Sequence, residues 1–157
     1  MKPRLLVLLF FATGLLLSTL GCSKKDDPGA QSTANTGSYL SDGRRVTCSA
    51  TADLYTNGGN DYLTLELTTT PQPAAGKEVL RLLYSKRTVQ PASDYSISQM
   101  QQLNNGAIII LYNVDTYSLT PNSDGSFSGT FSSGTKFPNP GITAPNLTRG
   151  VFTNVRP

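Results

Sequence analysis

The chain has 157 residues, 15% of them charged, and contains no histidine and no tryptophan. Without histidine, Ser-His-Asp and Cys-His nucleophile systems, histidine general bases and most zinc sites are excluded. The formal net charge is only +3 and no basic run is interleaved with aromatics, so we expect no nucleic-acid partner. The sequence also points to no cofactor and no metal site.

The N-terminus combines the parts of an export signal. Met1–Arg4 is short and basic, Leu5–Leu20 is a nearly unbroken apolar run, and Gly21-Cys22 closes it. A helix needs about 20 apolar residues to cross a bilayer, so this shorter run disfavours a spanning anchor. We therefore predict a signal peptide over residues 1–21.

The residues Ser18-Thr19-Leu20-Gly21-Cys22 resemble the lipobox of bacterial lipoproteins. The resemblance implies cleavage before Cys22, diacylglycerol on its sulfur and an acylated amino terminus. Thr19 and Leu20 depart from the family pattern, whereas Gly21 and Cys22 fit it. Lipid adds about 0.8 kcal/mol for each buried methylene, and two chains hold a protein stably on a membrane. We therefore expect a membrane contact through lipid on Cys22.

Just after the cysteine, Lys25-Asp26-Asp27 resembles the lysine-plus-acidic export signal of surface lipoproteins in Bacteroidota. This resemblance implies a lipid-anchored outer-membrane protein displayed on the cell surface. The alternative is that Lys25, Asp26 and Asp27 only solvate a tether, as charged segments commonly do. Residues 22–36 contain no large apolar side chain and are predicted to form a flexible tether. Residues 37–157 remain as one domain.

The clearest predicted elements are two strands joined by a tight turn. Residues 46–54 alternate apolar and polar side chains, and so do residues 63–68. Asn57-Gly58-Gly59-Asn60 between them suits a turn with positive φ, so we predict a β-hairpin. Residues 78–85 are predicted as a third strand, with a short uncapped helix as the competitor.

The second half of the chain is also predicted to consist of strands. Residues 95–103 fit either a strand or one helical turn. Residues 107–114 are apolar on both faces and are expected in the middle of a sheet with both faces covered. Further strands are predicted around residues 117–119, 127–131 and 147–155.

Seven or eight strands, separated by Gly, Pro and Asn turns, predict an all-β fold. We expect a single antiparallel β-sandwich, with a small open β-barrel as the alternative, because both arrangements cover strand edges. The segments Phe127–Phe131 and Gly150–Val155 resemble the ending of small Bacteroidota lipoproteins with a β-rich domain of unknown function. That resemblance implies fold and location, and adds no activity.

No catalytic constellation stands out in the sequence. A histidine-free glycosidase would use paired carboxylates, and the candidates are Asp42, Asp53, Asp61, Glu66, Glu78, Asp94, Asp115 and Asp124. Turns or polar strand faces explain them, so no catalytic pair is assigned. Asn122-Ser123-Asp124-Gly125 resembles part of a calcium loop but lacks the later glutamate, and a turn is predicted. Cys48 has no partner if Cys22 is lipidated, and is expected to be a small buried hydrophobe.

The sequence thus predicts a non-enzymatic cell-envelope protein, a binding or structural module for a partner protein or a glycan. One alternative is a lipocalin-like carrier that holds a small apolar ligand inside a barrel. The least favoured alternative is a glycan hydrolase that uses carboxylates.

Overall fold

The computed structural model describes residues 35–157, and its strands form one antiparallel sheet. The strands are β1 (Thr36–Ser41), β2 (Arg44–Asn57), β3 (Asn60–Thr69), β4 (Glu78–Arg87), β5 (Ser96–Asn104), β6 (Ala107–Pro121), β7 (Phe127–Pro138) and β8 (Leu147–Val155). A short 3₁₀ helix, Ala92–Asp94, lies between β4 and β5. In this described part, no helix has the length and apolar character needed to cross a membrane.

The sheet closes on itself into a barrel. Each strand pairs with its neighbour in the chain, and β1 pairs with β8, with Gly37 opposite Phe152. The all-β class is confirmed, but the predicted sandwich is wrong: the fold is the barrel alternative, and the barrel is closed rather than open. The pairing of β1 with β8 distinguishes the closed barrel from a sandwich, and the local alternation of side chains carries no information about that pairing.

Tight turns join three of the strand pairs. Asp42-Gly43, Gly58-Gly59 and Asn105-Gly106 each place both residues at positive φ, between 46° and 83°. Two positive φ values are typical of the type I′ turn, which matches the twist of a two-residue hairpin. Asp, Asn and Gly adopt this conformation at low cost. The predicted hairpin of β2 and β3 is confirmed, with Ala52 opposite Leu65.

The ambiguous segments of the sequence are all strands. Residues 78–85 belong to β4, so the helical competitor is not formed. Residues 95–103 fall almost entirely in β5. The strands predicted at 107–114 and 117–119 are one strand, the 15-residue β6.

A bulge in β6 changes which isoleucine is buried. Gln102 of β5 lies opposite Ile110, and the next residue, Leu103, lies opposite Ile108, so Ile109 is an extra residue. In a regular strand Ile108 and Ile110 would share one face. The bulge separates them: Ile110 is 1% exposed and Ile108 is 41% exposed. The expectation that both faces of this strand are covered is therefore wrong at Ile108.

Side chains fill the interior of the barrel, as is usual for eight strands. The largest fully buried side chains are Tyr84, Phe131, Phe152, Leu63, Leu65, Leu67, Leu80, Leu82, Met100, Ile110, Leu147 and Val155. Two glycines lie where a side chain would not fit: a Cβ at Gly150 would collide with the Phe131 ring, and a Cβ at Gly129 with the Ser118 carbonyl oxygen and then the Phe152 ring.

The two ends of the barrel carry different loops. The turns at Gly43 and Gly106 and the loops 70–77 and 139–146 lie at one end, the Gly43 end. The turn at Gly58 and the loop 88–95 lie at the opposite end, the Gly58 end. The chain enters β1 and leaves β8 at the Gly58 end.

Candidate binding surfaces

The predicted lipidation and export residues lie outside the described part of the chain. Cys22, Lys25, Asp26 and Asp27 all precede residue 35. Their roles therefore stay predictions.

Cys48 lies inside the barrel near the Gly43 end. It is a free cysteine and is buried, as the sequence predicts. Burial raises the pKa of its thiol to about 12, and the Glu78 carboxylate adds to the shift. Because the thiolate is the reactive form, a thiol with so high a pKa is a poor nucleophile at neutral pH. Cys48 is therefore part of the core rather than a reactive centre.

Three polar side chains form a hydrogen-bonded chain beside Cys48. The Glu78 carboxylate accepts a hydrogen bond from the Gln102 amide, and the Gln102 carbonyl oxygen accepts one from the Tyr112 hydroxyl at 2.8 Å. Burial, followed by the charge of Glu78, raises the pKa of Tyr112. Both links of the chain are made, so the group joins β4, β5 and β6 as a satisfied polar network.

An ion pair lies at the Gly58 end. The Asp61 carboxylate accepts hydrogen bonds from Lys86 at 2.5 Å, Thr56 at 2.8 Å and Thr88 at 2.9 Å. These contacts, with Lys86 the strongest, hold the pKa of Asp61 below its usual value. The Lys86 ammonium also lies 5.4 Å from the centre of the Tyr95 ring. A shallow pocket of about 260 Å³ adjoins this ion pair, lined by Leu54, Tyr55, Thr56, Asp61 and Tyr95.

Two of the other candidate carboxylates hold turns. Asp42 accepts a hydrogen bond from the backbone N–H of Asn146 at 2.8 Å, and Asp124 accepts one from the Ser126 hydroxyl at 2.6 Å. The turn predicted at Asn122–Gly125 is formed. Within residues 35–157 no three Cys, Asp or Glu side chains come together as a possible metal site.

The outer face of β2, β3 and β4 carries a pocket of about 380 Å³, lined by Thr51, Ala52, Asp53, Thr64, Glu66, Arg81 and Leu83. The three strands pair without a register shift, so alternate side chains form straight rows across them. One row is Thr51, Glu66 and Arg81, and the next begins with Asp53 and Thr64. The pocket therefore contains two carboxylates, a guanidinium and two hydroxyls.

Glu66 and Arg81 fix each other within this pocket. The Nε and Nη2 atoms of Arg81 donate hydrogen bonds to the same Glu66 oxygen, at 2.9 and 2.7 Å. The Arg81 side chain is 32% exposed and the Glu66 side chain is 30% exposed. An ion pair this accessible adds little to the free energy of unfolding, but it orients both groups at the surface.

A stacked pair of tyrosines continues the same face. Tyr55 and Tyr62 lie opposite each other, one row beyond Asp53 and Thr64. Their ring centroids are 4.8 Å apart at an interplanar angle of 10°, and Tyr55 is 51% exposed. We call the pocket and this tyrosine pair together the β2–β4 face.

Sequence reasoning did not single out the β2–β4 face, although part of it could have been predicted. Tyr55 and Tyr62 are placed symmetrically about the Gly58-Gly59 turn. In a two-residue hairpin such positions lie opposite each other, so the tyrosine pair could have been predicted. Arg81 comes from the next strand, after a long loop, and no local pattern indicates that it meets Glu66.

No family model matches this chain, and no match is found among the curated proteins or the solved structures. Function is therefore inferred from the surfaces of the barrel itself.

Proposed function

We propose that the protein is a non-enzymatic binding module of the cell envelope, and that its β2–β4 face binds a glycan. A closed β-barrel is compatible with a binding module. The observation that carries the proposal is the pocket of about 380 Å³ with the stacked Tyr55–Tyr62 pair beside it, in which the Tyr55 ring is exposed.

The chemistry of this face suits a sugar. A sugar ring has an apolar side made of C–H groups and a rim of hydroxyls. The Tyr55 ring offers a flat apolar surface and, with only two side-chain torsions, loses little entropy when it is covered. Asp53 and Glu66 supply hydrogen-bond acceptors, and Arg81 supplies donors, to the hydroxyls. Because charges of both signs are present, the face favours a polar glycan over a strongly charged polymer.

The contacts in the pocket support a protein that binds a glycan without hydrolysing it. Asp53 and Glu66 are the two carboxylates that share the pocket, and a glycosidase would need one of them as a proton donor. Glu66 accepts two hydrogen bonds from Arg81 on one oxygen, which commits it to an ion pair. The carboxylate hydrolase thus remains the least supported alternative, and its test is the release of reducing sugar from any glycan that binds.

The glycan proposal is tested with the purified protein on an immobilised panel of polysaccharides. Tyr55→Ala removes the exposed ring and should weaken binding of the captured glycan by about threefold to tenfold, the range of a single aromatic contact. Phe137→Ala is the matched control, because Phe137 is 55% exposed and lies on β7, away from the face. Equal binding by wild type and Tyr55→Ala, or no glycan captured, would refute the proposal.

We further propose that lipid on Cys22 anchors the module to the outer membrane. Support comes from the lipobox resemblance. Cys22→Ser should abolish metabolic labelling with palmitate, whereas Cys48→Ser should leave the labelling intact because Cys48 is buried in the barrel. Equal labelling of wild type and Cys22→Ser would rule out the lipid anchor.

Display on the cell surface is a separate proposal that rests on Lys25, Asp26 and Asp27. Replacement of all three by Ala should keep the protein in the membrane but shield it from protease added to intact cells. If accessibility to protease does not change, the segment is only a tether.

A further inference from the structure

The second half of β2 has a strand on one side only. β2 pairs with β1 as far as Ser49, which lies opposite Thr36, whereas its pairing with β3 continues to Asn57. Asn35, the residue before β1, has a φ of 60°, so the extended run of β1 ends there. In the part of the chain that the structure describes, no strand pairs with residues 51–57 on the side of β1. We call residues 51–57 the open edge of β2.

Half of the backbone groups of this open edge are directed away from β3. The Ala50 N–H donates a hydrogen bond to the Asn35 carbonyl oxygen at 2.8 Å, on the side of β1. Backbone groups alternate between the two sides of an antiparallel strand, so those of Ala52, Leu54 and Thr56 point the same way as that N–H. Three N–H and three C=O groups therefore face a side on which the described residues provide no strand.

The open edge lacks most of the features that prevent pairing between strands of different molecules. Natural edges are commonly protected by lysine, proline, a bulge or a short length. Residues 51–57 read Thr-Ala-Asp-Leu-Tyr-Thr-Asn, without lysine or proline, and they pair with β3 without a register shift. All of them except Ala52 are exposed. The open edge can therefore receive a further strand.

The open edge is complementary to a second copy of itself. When two copies pair antiparallel with Leu54 opposite Leu54, Ala52 lies opposite Thr56 and Asp53 lies opposite Tyr55. The outward N–H groups of each copy then meet the outward C=O groups of the other. Asp53, the only charged residue of the segment, lies opposite a tyrosine rather than a second carboxylate, which would repel it. Contacts in which each pair of residues occurs twice are typical of two-fold homodimers.

We propose that the open edge of β2 pairs with the same edge of a second copy of this chain, forming a two-fold symmetric dimer. Leu54, which is 43% exposed in one copy, packs on the partner's Leu54 at the centre of the contact. The sheets of the two barrels then continue into each other, and their β2–β4 faces lie side by side. The inference rests on the backbone of β2 and does not depend on glycan binding.

Disulfide formation in the purified full-length protein tests the register of this contact. Directly opposed residues of such a pair have Cα atoms about 5.5 Å apart, within the range that a disulfide bridges. Leu54→Cys lies on the two-fold axis and should give a covalent dimer on mild oxidation. Every variant in this test also carries Cys22→Ser, so that Cys22 takes no part.

Thr56→Cys is the matched control for the register. Its counterpart in the partner lies four residues further along the strand, about 14 Å away, which is too far for a disulfide. Thr56→Cys alone should therefore stay monomeric on oxidation. Mixed with Ala52→Cys, which lies opposite it, Thr56→Cys should form a covalent dimer that contains one copy of each variant.

Analytical ultracentrifugation tests the dimer without a cross-link. Wild type should show a fraction of dimer that rises with protein concentration. Leu54→Pro removes an N–H that faces the partner and not β3, and should weaken the dimer by about tenfold or more, because two central hydrogen bonds are lost. Leu54→Ala keeps that N–H and should weaken the dimer less. Circular dichroism establishes that both variants keep the sheet, and if Leu54→Pro loses it, the cross-links decide.

Three results would overturn the proposal. The first is a wild type that stays monomeric up to about 1 mM. The second is cross-linking of Thr56→Cys alone as efficient as that of Leu54→Cys, which would indicate random collision. The third is a folded Leu54→Pro variant that dimerises as wild type does.

Discussion

The two halves of the barrel wall differ in regularity. From β1 to β4 the strands pair without any register shift. From β4 through β8 and back to β1, every pairing contains a shift. In the regular half, positions two apart share a face along the whole strand. In the irregular half, bulges move residues from one face to the other.

This difference determines what kind of surface each half can form. Straight rows across β2, β3 and β4 place Asp53, Glu66 and Arg81 beside the tyrosine pair on an even outer face. In the irregular half, bulges and the end of the β5–β6 pairing at Met100 and Tyr112 break such rows. The regular half therefore presents an even external surface, which the irregular half does not offer.

The largest effect is expected from a buried ring in the irregular half. Phe152 of β8 is 0% exposed, and its neighbour Val151 is 37% exposed. Phe152→Ala should lower the free energy of unfolding by about 3–5 kcal/mol, because it removes a core aromatic ring and leaves a cavity. Val151→Ala should change it by no more than about 0.5 kcal/mol. Denaturant unfolding followed by circular dichroism measures both, since the chain has no tryptophan. Similar losses would mean that the inward and outward faces of β8 are misassigned.

The bulge in β6 is tested by the two isoleucines that it separates. Ile110→Ala should cost about 2–5 kcal/mol, whereas Ile108→Ala should cost less than about 1 kcal/mol, because Ile108 is partly in water. Without the bulge the two residues would share a face and the losses would be alike. Equal losses in denaturant unfolding would therefore contradict the bulge at Ile109.

A substitution at a glycine that lies against an aromatic ring is expected to have a smaller effect on the free energy of unfolding. A Cβ at Gly150 would collide with the Phe131 ring, so Gly150→Ala should cost about 1–3 kcal/mol through overpacking. The smaller side chain in Phe131→Leu should relieve the collision, and the double variant should then lose less than the sum of the single losses. Thermal or denaturant unfolding of the four proteins completes the cycle. Additive losses would show that the ring does not press on Gly150.

The same contrast explains how far the sequence could predict the structure. Alternation over residues 46–54 and 63–68 predicts strands correctly because β2 and β3 lie in the regular half, where period two is kept. Alternation is lost at the bulge of Ile109, and no pattern in the sequence predicts this bulge. Closure depends on the β1–β8 pairing, a contact between chain ends, so the sandwich and the barrel could not be told apart. Tyr55 and Tyr62 were predictable as a pair, but the contact of Glu66 with Arg81 was not, because it depends on the β3–β4 pairing across a loop.

The smallest expected effect concerns pH and lies in the irregular half. Hydrogen bonds from the Ser126 hydroxyl and backbone N–H, and the ion pair with Arg156, lower the pKa of Asp124 to about 2. The ordinary value, near 4, applies to the unfolded chain. A lowered pKa in the folded state means that the ionised Asp124 carboxylate stabilises the fold fully above about pH 4, and that this stabilisation is lost as the pH falls toward about 2.

Wild type should therefore lose stability across this window, and Asp124→Asn should lose less. Ser126→Ala removes a main donor and should flatten the same pH dependence. Denaturant unfolding at a series of pH values measures the slopes. If wild type and Asp124→Asn lose stability in parallel, the acid sensitivity comes from other carboxylates, with Asp61 next in line, because Lys86 lowers its pKa too.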